Sequence, residues 1–294
     1  MLRRLGNKSK LLPKLLPLFP ENITTFIDMF MGSGAVTFAM VDRCNHIIAN
    51  DKDEEVFNLF MVLKEHREEL THHLKIMPAH EGLYNFWKAS EESDPIWKAS
   101  RFLMLSNAGY LGADGTFAFK AGRKPKKNMI DHVENMLIHH EIQFMGCDFR
   151  EVLSKISWSF EQRPNNKNHA FAYADPPYLG TANNYQESFT EDDTRDLFSI
   201  LTSSGLRFAV SEFRHPLVMA LAEEHGLHVT SLGERRNLKN RREEIVITNY
   251  QPERRQGSLF PSMGTAASPA NASFQQALAV LKRGVSSTFP GLRG

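Results

Sequence analysis

Thr24-Thr25-Phe26-Ile27-Asp28-Met29-Phe30-Met31-Gly32-Ser33-Gly34 is the stretch that decides the fold. Thr24 to Phe30 reads as a buried strand, because it is apolar, aromatic and β-branched. It runs into a glycine turn and then an apolar helical stretch, Ala35 to Val41. Ile47 to Ala49 predicts a second short strand, which ends at Asn50-Asp51. Strand, glycine turn, helix, strand and acid, in that order, is the nucleotide-binding layout of doubly wound α/β sheets. The glycines let the backbone approach the ligand, and the acid takes ribose hydroxyls. Asp51 lies 17 residues past Gly34, a fitting spacing. The third glycine of a dinucleotide site is missing, so a ligand with adenosine but no phosphates suits the turn better. Asp28, four residues before Gly32, would repel phosphate and attract an ammonium or sulfonium.

A second strand tip carries the chemistry. Ala170-Phe171-Ala172-Tyr173-Ala174 predicts a buried strand, and Asp175-Pro176-Pro177-Tyr178 follows it. Two consecutive prolines cannot continue a ladder, and each fixes its own φ. An acid is thus delivered on a stiff turn at the carboxyl end of a strand, where open α/β sheets bind ligands. The Asp175 carboxylate and the Pro176 carbonyl are two acceptors held side by side. Together they can take both hydrogens of one flat amino group and aim its lone pair outward, while Tyr178 lies against an aromatic ring. An exocyclic amine on a nucleobase fits this pattern. The bland alternative is a Pro-rich turn with Asp175 as a helix N-cap.

Composition narrows the class without naming it. The chain has 294 residues, 41% hydrophobic and 23% charged, which is ordinary for a globular protein. A net charge of +1 argues neither for nor against nucleic acid, so only the distribution of charge can help. Cys44 and Cys147 lie far apart without metal spacing, which predicts a reducing compartment and no disulfide framework. No run reaches the length of a membrane span, and the N-terminus does not read as a secretory signal.

The rest of the chain supplies supporting elements. Ser9 to Phe19 predicts a helix, and so does Glu54 to Leu74. His66, His72 and His73 lack partners for a ligand set and read as surface residues, so no metal is expected. Tyr84, Phe86, Trp87, Trp97 and Phe102 recur at helical spacing between Leu83 and Leu105 and predict core. Ser106 to Lys120 is Gly-rich and alternating, with Asp114-Gly115 at its centre, and predicts a β-hairpin. Lys120, Arg123, Lys124, Lys126 and Lys127 follow it without an intervening acid. A hairpin beside a basic loop can enter a DNA groove while the lysines hold phosphates. Glu141 to Met145 predicts a third sheet strand, with Asp148 at its end. Leu179 to Phe189 is polar and long enough to cover the site. Thr190 is expected to cap a helix. Arg207 to Val210 predicts a strand, Pro216 to His225 a helix, and Leu227 to Ser231 with Ile245 to Thr248 a closing antiparallel pair. Between that pair Arg235, Arg236, Lys239, Arg241 and Arg242 predict a second basic loop. After Glu253 the chain is rich in Ser, Ala, Gly and Pro without acids, which predicts disorder.

Gly6-Asn7-Lys8, Phe30-Met31-Gly32-Ser33-Gly34, Asp51, Asp148-Phe149 and Asp175-Pro176-Pro177-Tyr178, in this order, resemble the Dam-type adenine-specific DNA methyltransferases. The resemblance covers about Arg4 to Tyr250. It implies an α/β fold with a Rossmann-like methyltransferase sheet and an inserted, mainly helical target-recognition subdomain that carries a β-hairpin. Residues 1–55 and 141–252 would form the catalytic domain, 56–140 the recognition subdomain and 253–294 a disordered tail. The implied reaction moves a methyl group from S-adenosylmethionine to the exocyclic amine of an adenine flipped out of double-stranded DNA. Arg4, Lys8, Asp28, Phe30, Gly32, Gly34, Asp51, Asp148, Phe149 and Asp175 would bind the cofactor. Within that set, Lys8 would hold its carboxylate end, Asp28 its ammonium side, Asp51 its ribose and Asp148 its adenine amine. Asp175, Pro176, Pro177 and Tyr178 would be catalytic. Tyr110, Leu111, Lys120, Arg123, Lys124, Lys126, Lys127, Arg235, Arg236, Lys239 and Arg241 would meet DNA.

The sequence departs from the family pattern in three places. Arg4 stands where relatives often have an aromatic, Gly-Gly-Lys is Gly6-Asn7-Lys8, and the hairpin region lacks the arginine-rich pattern of GATC-specific relatives. Methylation of a cytosine amine, RNA or a glutamine side chain is an alternative, and a non-catalytic DNA-binding module of the same fold is another. Asp175 argues against the first and the intact motifs against the second. Cytosine ring-carbon methylation needs a cysteine nucleophile, and neither Cys44 nor Cys147 has a Pro-Cys context. Further expectations are a monomer or weak dimer in bacterial cytoplasm or phage-encoded, bound to the nucleoid through DNA and compatible with a cognate restriction enzyme.

Overall fold

A computed structural model describes residues 8–78, 80–108, 142–158, 166–179, 189–236 and 241–252, with positions 130 and 133. Contacts divide the chain into two units, Met1–Arg254 and Arg255–Gly294, and every described residue belongs to the first. The hairpin expected from residue 109 onward, Arg4, Lys239 and the tail from residue 253 lie outside the described residues.

The strands are β1 Thr25–Asp28, β2 His46–Asn50, β3 Ile142–Met145, β4 Ala170–Ala174, β5 Arg207–Phe213, β6 His228–Arg236 and β7 Arg241–Thr248. They form one sheet in the order β3-β2-β1-β4-β5-β7-β6. β1 to β5 are parallel, and β7 runs antiparallel to both β5 and β6. This is the Rossmann-like α/β sheet expected, closed by the expected antiparallel pair. From β1 the chain crosses to β2 on one side, while β4 lies on the other with Asp28 opposite Tyr173. The carboxyl ends of β1 and β4 therefore meet at a topological switch point, the place where such sheets bind ligands.

β4 is buried at every residue, as its unbroken apolar run requires. Alternate β4 residues feed two cores. Phe171 and Tyr173 join Phe19, Phe26 and Val246 on one face, whereas Ala170, Ala172 and Ala174 join Ile27, Phe208 and Ile245 on the other.

The helices are α1 Leu12–Leu15, α2 Ala35–Ala39, α3 Glu54–Glu65, α4 Arg67–Ile76, α5 Glu81–Ala89, α6 Pro95–Ala108, α7 Phe149–Val152, α8 Glu191–Ser203 and α9 Pro216–Glu224. The single helix expected over Ser9–Phe19 is instead three short pieces: a 3-10 turn at Lys8–Lys10, α1, and a 3-10 turn at Leu16–Leu18. Pro13 and Pro17 each enter a new first turn, since a prolyl nitrogen has no proton for an interior bond. The helix expected over Glu54–Leu74 breaks at His66, whose φ of −133° leaves the helical region. Of the aromatics expected in the core, Tyr84 and Trp87 are buried, but Phe86 and Trp97 are exposed. His66 and His72 are exposed as expected, while His73 packs its ring 4.6 Å from Trp97. α6 continues to Ala108, so Ser106 to Ala108 close a helix and do not open a hairpin. The second basic loop is also corrected: Arg235 pairs with Arg242 and Arg236 with Arg241 inside the β6–β7 ladder.

Thr190 caps α8 through a full capping box with Asp193. Phe171 is fully buried, with ring centroids of Phe19 at 4.8 Å, Phe26 at 6.0 Å and Tyr250 at 6.3 Å. Phe171→Ala is expected to lower unfolding free energy by about 3–5 kcal/mol. Urea denaturation checks this, with the midpoint falling and the slope unchanged.

Candidate active site

The glycine turn is laced to the end of β2. Met31 N–H donates to Asn50 O at 2.7 Å, and Gly32 N–H donates to Asp51 Oδ2 at 2.7 Å. Gly32 and Gly34 have φ of 52° and 72°, left-handed values that glycine adopts without strain. A Cβ at Gly34 would stand 2.4 Å from the Phe38 ring, whereas one at Gly32 would meet nothing within 4 Å. The turn is thus packed tightly on the helix side at Gly34 and open at Gly32. Asn50, which sequence reasoning passed over, ties three strand ends together. Its Nδ2 donates to Met29 O at 3.1 Å and Cys147 O at 3.0 Å, and its Oδ1 accepts from Cys147 N–H at 3.1 Å.

Asp28 lies beneath this turn and is fully buried. Its Oδ2 accepts from the Thr37 hydroxyl at 2.6 Å, while Oδ1 has no hydrogen-bond partner among the described residues. Burial, to which Asp175 and Asp51 add, pushes its carboxyl up to about 7 against the Thr37 bond. A buried acceptor with a spare oxygen, beside an open turn, fits a cationic amine as a partner.

At the β4 tip Asp175 meets Lys8. The Lys8 ammonium is 3% exposed and donates to Asp175 Oδ1 at 2.6 Å and to the Tyr178 oxygen at 2.5 Å. It lies 4.6 Å from the centre of the Tyr178 ring and 3.3 Å from Glu244 Oε1. Tyr178 in turn donates its hydroxyl proton to Glu244 Oε1 at 2.6 Å. Burial and the neighbouring carboxylates of Asp175 and Glu244 raise the Tyr178 phenol well above its ordinary value, so it stays protonated and can donate. Burial raises Asp175 too, and Lys8 pulls it part of the way back. Lys8 therefore engages the Asp-Pro-Pro-Tyr turn in this structure, and Asp175 does not serve as a helix cap.

Two acids in this cluster are absent from the sequence expectations. Glu212 at the end of β5 is 2% exposed and accepts Leu179 N–H on Oε1 at 2.7 Å. Burial pushes its carboxyl up to about 8. Glu244 in β7 is 1% exposed. The available signal was an acid set inside an apolar strand, in Phe208-Ala209-Val210-Ser211-Glu212-Phe213 and in Glu244-Ile245-Val246-Ile247.

The remaining expected residues sit nearby but in varied roles. Asp148 caps α7 by accepting Arg150 N–H at 3.0 Å, and its Oδ2 faces Lys52 at 3.6 Å. Burial pushes Asp148 up, but Arg150 outweighs this and holds it below its ordinary value. Phe30 and Phe149 pack with ring centroids 5.5 Å apart and planes tilted by 34°, and both pack against Phe189. Pro176 is buried and Pro177 partly so. Arg235, Arg236 and Arg241 lie on the hairpin strands, away from the motif in sequence, while Arg242 donates to Leu179 O at 3.1 Å. Tyr110, Leu111, Lys120, Arg123, Lys124, Lys126 and Lys127 lie outside the described residues. Among the described residues no cluster of three or more His, Cys, Asp or Glu side chains could hold a metal, and no helix is long and apolar enough to cross a membrane.

The glycine turn, Asp51 and the Asp-Pro-Pro-Tyr tip thus lie together at the carboxyl ends of the neighbouring strands β1, β2 and β4. A family model described as D12 class N6 adenine-specific DNA methyltransferase matches residues 5–231. The chain belongs to that family. It is an adenine-specific DNA methyltransferase, and its methyl donor is S-adenosylmethionine. A type II methyltransferase of Lactococcus lactis subsp. cremoris is 24% identical over 279 residues, spanning 83% of this chain and 93% of the relative. The type II methyltransferase M.FokI of Planomicrobium okeanokoites is 24% identical over 286 residues, 85% of this chain and 42% of its own length. The modification methylase StsI of Streptococcus sanguinis is 23% identical, with 85% and 42% covered. The chain thus spans nearly all of the first relative and under half of the other two. Among solved structures, an rRNA methylase from Streptococcus thermophilus has a TM-score of 0.36 at 10% identity, covering 84% of this chain and 99% of that one. A precorrin 8w decarboxylase from Methanobacterium thermoautotrophicum has a TM-score of 0.38 at 13% identity, covering 84% and 95%.

The raised Asp28 carboxyl makes stability depend on pH. Between its unfolded value of 3.8 and its folded value of about 7, the folded chain holds a proton there that the unfolded chain has lost. Stability contributed by this group therefore falls as pH rises through that window and stays low above it. Asp28→Asn, which removes the ionisation and keeps an acceptor for Thr37, is expected to gain more in melting temperature over wild type at pH 8 than at pH 5. Thermal melts at both pH values check this, and equal gains would refute it.

Proposed function

We propose that the chain methylates the exocyclic amine of an adenine flipped out of double-stranded DNA, with the Asp175–Tyr178 turn as the catalytic element. The observation that carries this reading is the adjacency of the β1 and β4 ends. Asp28 and Tyr173 are register partners, so the glycine turn and the Asp-Pro-Pro-Tyr turn leave the sheet side by side. S-adenosylmethionine supplies a methyl group on a sulfonium, whose neutralisation drives transfer. The protein has only to position and polarise.

The residue roles follow from their chemistry. Asp175 and the Pro176 carbonyl accept the two hydrogens of the target amine and leave its lone pair exposed toward the methyl group. The protonated product amine then gives up one proton to the Asp175 carboxylate, from which it passes to solvent. Tyr178 supplies an aromatic face for the base. Asp175 is only 16% exposed, so an adenine still stacked in a duplex could not bring its amine to it, which supports base flipping. For the cofactor, the spare Asp28 oxygen suits its ammonium, and Asp51 oxygens can accept ribose hydroxyls while holding the turn. Gly32 and Gly34 shape the turn, with Phe30 and Phe149 forming an apolar wall beside it. Lys8 and Asp148 are further cofactor contacts once Lys8 exchanges its partners, and Arg4 joins them.

Recognition of the DNA falls to the segment of residues 56–140, inserted between β2 and β3. The support is its sequence: Tyr110, Leu111 and the basic run Lys120 to Lys127. Arg235, Arg236, Lys239 and Arg241 at the β6–β7 hairpin offer a second set of phosphate contacts. A companion restriction enzyme fits the relatives named as modification and type II methylases.

Labelled S-adenosylmethionine and adenine-unmethylated DNA test the reading, with label expected on adenine. Asp175→Ala is expected to lower transfer by about 10²–10³-fold or more, the loss typical of removing a preorganised polar group at the reacting centre. A rate within a few fold of wild type would exclude the role given to Asp175.

A further inference from the structure

β5 and β7 supply the residues that hold the catalytic turn from behind. Their antiparallel register places Glu212 opposite Ile245 and Phe213 opposite Glu244. Directly paired residues share a face of a sheet, and successive residues alternate. Glu212 therefore lies on the face of Ile245, and Glu244 with Phe213 on the other. The two acids reach the turn from opposite sides of the sheet.

Each acid binds a different part of the turn. Glu244 receives the Tyr178 hydroxyl at 2.6 Å. Phe213, opposite it in register, presses edge-on against the Tyr178 ring at 4.6 Å between centroids. One contact fixes the hydroxyl end of the ring and the other its flank. Glu212 receives the N–H of the next residue, Leu179, at 2.7 Å. The Leu179 carbonyl is held by Arg242 at 3.1 Å, from the strand that carries Glu244. Tyr178 and the residue after it are thus secured at side chain, amide and carbonyl.

We infer that Glu244 and Glu212 are positioning residues for methyl transfer, acting through the Tyr178 hydroxyl and the Leu179 amide to fix the plane in which the base is received. This rests on the reading of Tyr178 as the platform for the base. Neither acid needs to touch base or cofactor. Their effect belongs on the rate of the bound complex and not on cofactor affinity, because misplacement of reacting groups by about 1 Å can cost 100-fold.

The test compares steady-state transfer to saturating adenine-unmethylated DNA by wild type, Tyr178→Phe, Glu244→Leu, the double variant, Glu212→Leu and Glu212→Gln. Wild-type turnover in the same assay carries the functional reading, and the inference stands on ratios between variants. Tyr178→Phe and Glu244→Leu are each expected to lower kcat about 10–100-fold, with KM for S-adenosylmethionine within about threefold of wild type. Both remove the hydroxyl–carboxylate contact, and each also takes one partner from Lys8, so the double variant is expected well short of the product of the two single losses. Glu212→Leu is expected to lose a similar factor, and Glu212→Gln, which keeps an acceptor oxygen, to recover at least about tenfold of it. A kcat for Tyr178→Phe within threefold of wild type would overturn the role of Glu244 even if Glu244→Leu failed to fold. Losses that multiply in the double variant would overturn it as well. Equal losses in Glu212→Gln and Glu212→Leu would overturn the role of Glu212.

Discussion

Lys8 places an ammonium between the carboxylates of Asp175 and Glu244 with almost no access to water, and the placement of the Asp-Pro-Pro-Tyr turn depends on that cluster. Stripping water from such ions costs on the order of several kcal/mol each, and only close, fully bonded partners offset it. The partners come from the N-terminal segment, the β4 tip and β7. The cluster therefore forms only when all three are in place. The N-terminal segment is itself anchored by buried Leu15 and Phe19, by Lys14 donating to Leu232 O and by Tyr250 donating to Leu18 O. Packing brings the ammonium in, and the acids hold it there.

The same end of the sheet concentrates carboxyl groups. Asp28, Asp175, Glu212 and Glu244 are all buried or nearly so, and burial raises Asp28, Asp175 and Glu212. A site that uses a cationic donor gains from such a surrounding, because positive charge entering it relieves desolvated acids. Stability is given up for that readiness, as it is at many functional sites.

Local pattern made much of this legible. Phe30 to Gly34, Asp51 and the Asp175–Tyr178 turn stand at strand ends that short apolar runs and glycines or prolines mark out, and the structure gathers them at one switch point. What escaped depends on distant partners. An acid inside a strand ordinarily argues that the strand has ended, so β5 reads as stopping at Val210 although it continues through Glu212 to Phe213. Glu212 is tolerated there because Leu179, 33 positions earlier, brings it an N–H. Glu244 is tolerated because Tyr178 and Lys8 meet it. Asn50 reads as a turn residue until three strand ends are seen to converge on its amide. The breaks at Pro13, Pro17 and His66 are local, yet amphipathic spacing on either side conceals them.

The position of β7 has a consequence for how the molecule is made. β7 follows β6 in the chain but is inserted between β5 and β6 in the sheet. A nascent chain that has delivered β1 to β5 already holds the glycine turn and the Asp-Pro-Pro-Tyr turn, but Tyr178 has no Glu244 and Arg242 is missing from Leu179. Lys8 meanwhile has Asp175, 167 positions away, within the delivered chain but still lacks Glu244. Closing so long a loop loses entropy before any contact rewards it. The contacts that hold Tyr178 and Leu179 are thus assembled last, when the hairpin slots into the open edge of β5. Until then an emerging chain carries the glycine turn with its partners in place and the Asp-Pro-Pro-Tyr turn without its backing from β7.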